Sequence, residues 1–246
     1  MDREQVYSTK QERIKPSEVT DVNGSKFIGA TFLYLTLALV ITFAVSGALG
    51  AILRAALSSA SLGDLKTFGT IFIIALIAYI PVMIWVQIAA CRQGRTVGPA
   101  FFTYSIVMGA LLSPIFILDI WTIIISLGST CLAFAIMALI AWTTKKNLSG
   151  LAIFGVSLLI GAFVLSLFNV IIYLIIGFQP LYWLVSFLFF FAILILTVVD
   201  LNHVKRIAQS GMGTKNLAIW CALNLYVDFI YIFIRILAIV ASIRNK

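Results

Sequence analysis

"NLYVDFIYIFIR", residues 224 to 235, lies inside the last apolar run of the chain and places an acid and an arginine among apolar side chains. A charged side chain at the centre of a membrane span costs about 2.5 to 3.5 kcal/mol on insertion scales, so it persists where a cavity or a partner compensates. The strongly polar residues of this run recur at the spacing of one helical face; they are Asn224, Asp228, Tyr231 and Arg235. We therefore expect this face to line a polar cavity and the last span to lie inside a bundle.

The rest of the chain is nearly as apolar as this run. Hydrophobic residues make up 62% of the sequence and charged residues 11%, whereas about a quarter of the residues in a soluble domain are charged. A helix crosses the hydrocarbon core with roughly 20 apolar residues, and the chain supplies such stretches repeatedly. Membrane β-strands would alternate apolar and polar positions, and this alternation is absent. The sequence therefore predicts an all-α membrane protein.

Charge-free runs divide the chain into seven predicted spans. The runs cover residues 27–53, 67–91, 96–118, 120–144, 147–199 and 216–243, the last one interrupted by Asp228 and Arg235. The fifth run is long enough for two spans, and its "GFQPLYW", residues 177 to 183, has the Gly, Gln and Pro of a turn beside interfacial aromatic residues. We predict a polar cytoplasmic tail at 1–26 and one seven-helix transmembrane domain at 27–246.

Basic residues predict the orientation of these spans. With the amino terminus in the cytoplasm, the inner segments hold twelve Lys and Arg and the outer segments four, which favours this orientation with the carboxy terminus outside. The formal charge of +8 is scattered in pairs between spans, so it does not indicate a nucleic-acid partner. The compact loops suggest a bacterial plasma membrane. Three separated cysteines and a single histidine make no zinc cluster, and we expect no cofactor.

A second acid, Asp200 in "VVDLNHVKRI", stands near the end of the sixth predicted span. The turn falls at residues 210–215, and Asp200 precedes it by about as many residues as Asp228 follows it, so a helical hairpin would bring both acids to similar depth. Two carboxylates in a low dielectric cannot both ionise cheaply, and the pair should share one proton over a wide pH range. We favour Arg92 as its counter-charge, because Arg235 lies about 10 Å along the helix from Asp228.

Structural interpretations of the two acids stay open. Asp200 could simply reach the cytoplasmic interface beside Lys205 and Arg206, and Asp228 could be a hydrogen-bond partner for another helix. The intramembrane position of Asp228 favours function over structure, whereas the two interpretations are nearly even for Asp200.

Several motifs resemble those of the Bax inhibitor motif family. "ALNLYVDFIYIFIRIL", residues 222 to 237, resembles the family's last-helix signature, and "VDLNHVKRI" resembles the acid-bearing end of its sixth helix. "SPIF" at 113–116 and "TTKKNLS" at 143–149 are further matches. The resemblance covers almost everything after the tail. It implies a seven-helix fold with the last helix central, and a calcium leak across the membrane that is regulated by pH.

The same resemblance implies roles for particular residues. Asp200 and Asp228 would be the proton sensor and would hold calcium transiently, and Arg92, in "CRQGRTVG", would latch the pair. Asn224, Tyr231 and Arg235 would line or support the pore. The sequence departs from the family pattern where Tyr231 replaces the usual Asn and where Arg235 falls about one turn early. These departures affect the outer half of the pore more than the sensor.

The resulting hypothesis is a pH-sensitive calcium leak channel whose partners are the lipid bilayer, calcium ions and protons, and which is not an enzyme. A proton-coupled transporter and a non-conducting regulator of membrane proteases are the alternatives. An intramembrane aspartyl protease is less favoured, because "LYV" precedes Asp228 in place of Gly-x-Gly and the Pro-Ala-Leu motif is absent. A retinal protein would need a lysine in the last span, and residues 216–243 contain none.

Overall fold

The computed structural model describes residues 16–58, 62–92, 97–145, 148–178, 180–211 and 213–244, without the side chains of 16–23, 62, 64, 65 and 90–92. This part of the chain forms seven helices that are long and apolar enough to cross a membrane, which confirms the predicted fold class. They are α1 Pro16–Ser58, α2 Leu62–Arg92, α3 Val97–Leu112, α4 Ile120–Thr143, α5 Ser149–Ile176, α6 Tyr182–Ser210 and α7 Lys215–Arg244.

Glycines end two of these helices where the sequence predicts turns, whereas the α-helix of the predicted span 96–118 ends early, at Leu112. Gly177 and Gly211 follow α5 and α6 with φ of 74° and 69°, a left-handed conformation that other residues adopt at a cost. The first of them divides the long apolar run 147–199 into two helices, as predicted. After α3 the chain continues as a 3₁₀ segment, Ser113–Ile117, which begins where Pro114 removes a backbone donor.

The first helix extends further towards the amino terminus than its apolar run. α1 begins at Pro16, although its membrane-spanning part begins at Gly24. Residues 16–26 of the predicted polar tail therefore continue the first span as helix. Residues 1–15 of that tail lie outside the described residues.

The last helix is the centre of the bundle, as expected. α7 packs against α1, α2, α3, α4 and α6, whereas α5 packs against α6 alone within the described residues. Twelve residues of α7 are buried, and three residues of α5 are buried. The remaining surface of α5 is apolar and suits contact with lipid.

Polar contacts fasten α4 to its neighbours at both ends of the bundle. We name the end where α6 stops and α7 starts the inner end, and the opposite one the outer end. At the inner end, Lys205 donates to the carbonyl oxygens of Trp142 at 2.7 Å and Thr144 at 3.1 Å, and these belong to the last turn of α4, where a cation is favoured. At the outer end, Arg244 forms an ion pair with Asp119 at 3.0 Å.

Candidate functional site

Asp228 stands near the middle of α7, among apolar side chains. The side chain is half-buried and has fully buried apolar residues around it along the same helix. Its Oδ2 atom is buried and has no hydrogen-bond partner among the described residues. A buried polar atom without a partner carries its full desolvation cost, and the cost is larger for an ionised group.

Thr197 of α6 is the hydrogen-bonding side chain that faces the Asp228 carboxyl group. The Thr197 hydroxyl donates its own proton to the carbonyl oxygen of Ile193, one turn earlier, at 2.7 Å. The hydroxyl therefore presents lone pairs, and not a proton, to the acid. A protonated Asp228 can donate a hydrogen bond to these lone pairs, whereas an ionised Asp228 receives the Thr197 proton only if the hydroxyl turns away from Ile193.

Asp200 lies on α6, half-buried, and interacts electrostatically with Asp228 and with Cys221 of α7. Three residues separate Thr197 from Asp200, which is about 4.5 Å of helical rise. Asp228 is level with Thr197, so Asp200 stands about one turn nearer the inner end. The hairpin thus brings the two acids within electrostatic reach of each other, and with a small offset in depth.

The other residues of the predicted polar face have different surroundings. Asn224 is half-buried. Tyr231 is 45% exposed and interacts electrostatically with Tyr79 of α2 and with Arg235. Arg235 donates to the Oγ atom of Ser186 on α6 at 3.1 Å. Asp228 and Arg235 of this face therefore lie against α6, whereas Tyr231 is exposed to the surroundings.

Arg92 ends α2 at the inner end of the bundle, and its side chain lies outside the described residues. The height of its backbone follows from ring contacts: Tyr79 lies against Tyr104 at 6.0 Å between centroids, and Tyr104 lies against Tyr226 at 5.9 Å. Thirteen residues, or about 20 Å of rise, separate Tyr79 from Arg92. The backbone of Arg92 therefore stands on the Asp200 side of the acid pair.

A second buried polar cluster, on the other side of α7, was not predicted from the sequence. The hydroxyl groups of Tyr226 and Thr42 are 2.7 Å apart, and the Thr42 hydroxyl also lies 3.0 Å from the carbonyl oxygen of Ser105. All three residues are fully buried or nearly so. The cluster joins α1, α3 and α7. The three residues lie in three different spans, so no local pattern in the sequence links them.

Comparisons with known proteins agree with this architecture. A family model described as "Inhibitor of apoptosis-promoting Bax1" matches residues 24–245. Inner membrane protein YbhL of Escherichia coli strain K12 is 30% identical over 201 residues, which cover 77% of this chain and 82% of that protein. An uncharacterized membrane protein of Streptococcus pyogenes serotype M1 is 32% identical over 163 residues, which cover 64% of this chain and 69% of the relative.

Proposed function

Because the chain belongs to the Bax inhibitor family of membrane proteins, we propose that it is a pH-sensitive calcium leak channel and not an enzyme. A proton shared between Asp200 and Asp228 controls the leak. The host membrane is a bacterial plasma membrane, with the inner end of the bundle in the cytoplasm. This orientation follows from the excess of Lys and Arg in the inner segments.

One observation carries the proposal: the buried Oδ2 atom of Asp228 has no partner among the described residues, and a second carboxyl group lies within electrostatic reach. A proton on this pair removes one charge and lets Asp228 donate to Thr197. Loss of the proton leaves two negatively charged carboxylates that repel each other and attract a cation. Protonation therefore changes the packing between α6 and α7, which gives two states for a gate.

Calcium suits this pair as a passing ion. Calcium takes six to eight oxygen ligands, and within the described residues no group of three or more His, Cys, Asp and Glu gathers around the pair. Two carboxyl groups attract the ion without completing its coordination shell. Weak binding of this kind lets an ion leave as well as enter, as conduction requires.

Arg92 serves as the latch on the acid pair in this proposal. Asp200 is the acid nearer in depth to its backbone, which lies about 20 Å of helical rise beyond Tyr79, so the latch closes only in a state where α2 brings Arg92 closer to the pair. Deprotonation strengthens the attraction between the arginine and the pair, and protonation weakens it.

The test is calcium flux into proteoliposomes across a series of pH values. We expect the flux of the wild type to change with pH and the flux of Asp228→Asn to be nearly independent of pH, because an amide cannot share a proton. Asp200→Asn should shift or flatten the profile in the same way. Asp119→Asn is the matched control, since this acid lies at the outer end, 51% exposed in its ion pair with Arg244.

Two results would overturn the proposal. One is a pH profile of calcium flux that is the same in Asp200→Asn, in Asp228→Asn and in the control Asp119→Asn as in the wild type. The other is the absence of calcium flux at every pH in a wild-type protein whose cooperative thermal unfolding shows that it is folded. Saturable uptake of an organic solute driven by protons would indicate a transporter, and copurification with a protease without flux would indicate a regulator.

A further inference from the structure

A groove between the outer ends of α6 and α7 contains the positive charge of Arg235, which lies apart from the acid pair. Its volume is about 220 Å³. Aromatic side chains form most of its wall, and Arg235 lies within it. The main lining residues are Trp183, Ser186, Phe187, Phe190, Arg235 and Ser242.

The groove opens sideways, towards the bilayer. α2 and α6 do not contact each other within the described residues, so a strip of the outer half of α7 is exposed between them. Tyr231 and Ile239 of α7 are 45% and 41% exposed, and Phe187 on the wall of the groove is 50% exposed. A lipid molecule can therefore approach this part of α7 from the membrane.

Among the described residues, Arg235 has no acidic counter-charge. Its guanidinium group donates to Ser186 Oγ at 3.1 Å, and no acid of the described residues forms an ion pair with it. A guanidinium group has five N–H donors, and an unmatched charge at membrane depth is costly. The lining residues of the groove include no acid, so the groove suits an anion from outside the chain.

The depth of Arg235 identifies this anion. Tyr182 and Trp183 begin α6, and such residues lie at the level of the lipid headgroups. Ser186 follows Tyr182 by four residues, which is about 6 Å of rise. A long arginine side chain at this depth reaches towards the headgroups, where the available anion is the phosphate of a phospholipid. Arginine also binds phosphate through two parallel hydrogen bonds.

We propose that this groove binds one anionic phospholipid, with its phosphate on Arg235 and its acyl chains against the aromatic wall. A lipid with a net negative charge is preferred over a zwitterionic one, because the groove has a net positive charge. The site is independent of the acid pair: Asp228 is seven residues, or about 10 Å, further inward along α7.

Native mass spectrometry of the full-length protein in detergent, with phosphatidylglycerol or phosphatidylcholine added, tests the proposal. We expect the wild type to retain one phosphatidylglycerol more strongly than phosphatidylcholine. Arg235→Gln should weaken retention of phosphatidylglycerol about tenfold and remove the preference, and Arg235→Lys should keep part of it. Arg244→Gln is the matched control, since it removes the same charge nine residues later on the same helix and leaves retention unchanged.

A second variant leaves the arginine in place. Ala238→Phe fills the groove, so phosphatidylglycerol should be lost even though the charge remains. Equal retention of the two lipids by the wild type, or retention unchanged in both Arg235→Gln and Ala238→Phe, would refute the lipid site. Displacement of the lipid by millimolar inorganic phosphate would also refute it, because it would identify a site for a soluble anion.

Discussion

α5 and α7 have similar lengths and nearly opposite surroundings. α5 is the more apolar of the two, yet it contacts only α6 within the described residues. α7 carries an acid and an arginine and still lies at the centre of the bundle. In water the most apolar helix would be the most buried one. In a bilayer the lipid accepts apolar side chains on the outside, so the polar groups mark the helix that the other helices must cover.

The comparison is tested most strongly by the same truncation in both helices. Phe233 of α7 is fully buried and packs edge-to-face on Phe43 of α1 at 5.3 Å between centroids. Phe233→Ala should lower the free energy of unfolding by about 3 kcal/mol, because the cavity cannot fill with lipid. Phe163 of α5 is 56% exposed, and Phe163→Ala should cost less than about 1 kcal/mol, since lipid replaces the lost contacts.

Equilibrium unfolding in mixed micelles, with increasing sodium dodecyl sulfate, measures both free energies. Similar losses for the two variants would mean that α5 is covered as well as α7. This result would require a further partner on the α5 surface.

A smaller difference in stability between the two helices is expected when a single hydroxyl group is removed from each. Tyr226→Phe removes the contact of 2.7 Å with Thr42 and should cost about 1 kcal/mol, the usual net value of one buried hydrogen bond. The matched variant is Tyr173→Phe on α5, where the side chain is 48% exposed and the loss should be close to zero. The same unfolding experiment distinguishes them. Equal stability of Tyr226→Phe and the wild type would show that the Thr42 cluster does not hold α1 to α7.

The number of helices could be predicted from the sequence because the bilayer requires one apolar run for each span. The turns at Gly177 and Gly211 were predictable as well, whereas the extension of α1 to Pro16 and the end of α3 at Leu112 were not. The central position of the last helix was also predictable, since its four polar residues share one face. These inferences need no knowledge of which helix touches which.

The contacts across the bundle could not be predicted in this way. Arg235 finds Ser186, which is 49 residues away in sequence, and Tyr226 finds Thr42 at a separation of 184 residues. Nothing in the local pattern links such pairs. Thr197 is the residue of the site that the sequence could most nearly have indicated, because it precedes Asp200 by three residues and so shares its face of α6. The roles of Asp200, Asp228 and Arg92 stay predictions until flux is measured.

The smallest expected effect comes from the one buried polar side chain of α5. Asn169 is 6% exposed, and its Oδ1 atom accepts a hydrogen bond from the backbone N–H of Leu181 at 3.2 Å. Asn169→Leu should cost about 0.5 kcal/mol of stability, because an interhelical hydrogen bond in a membrane protein contributes on average about this much. It should also speed hydrogen exchange at Leu181, whose amide loses its acceptor. Ser157→Leu, at an exposed position of the same helix, should change neither quantity. Unaltered exchange at Leu181 in Asn169→Leu would mean that α5 is held to α6 by apolar packing alone, which would make its contrast with α7 complete.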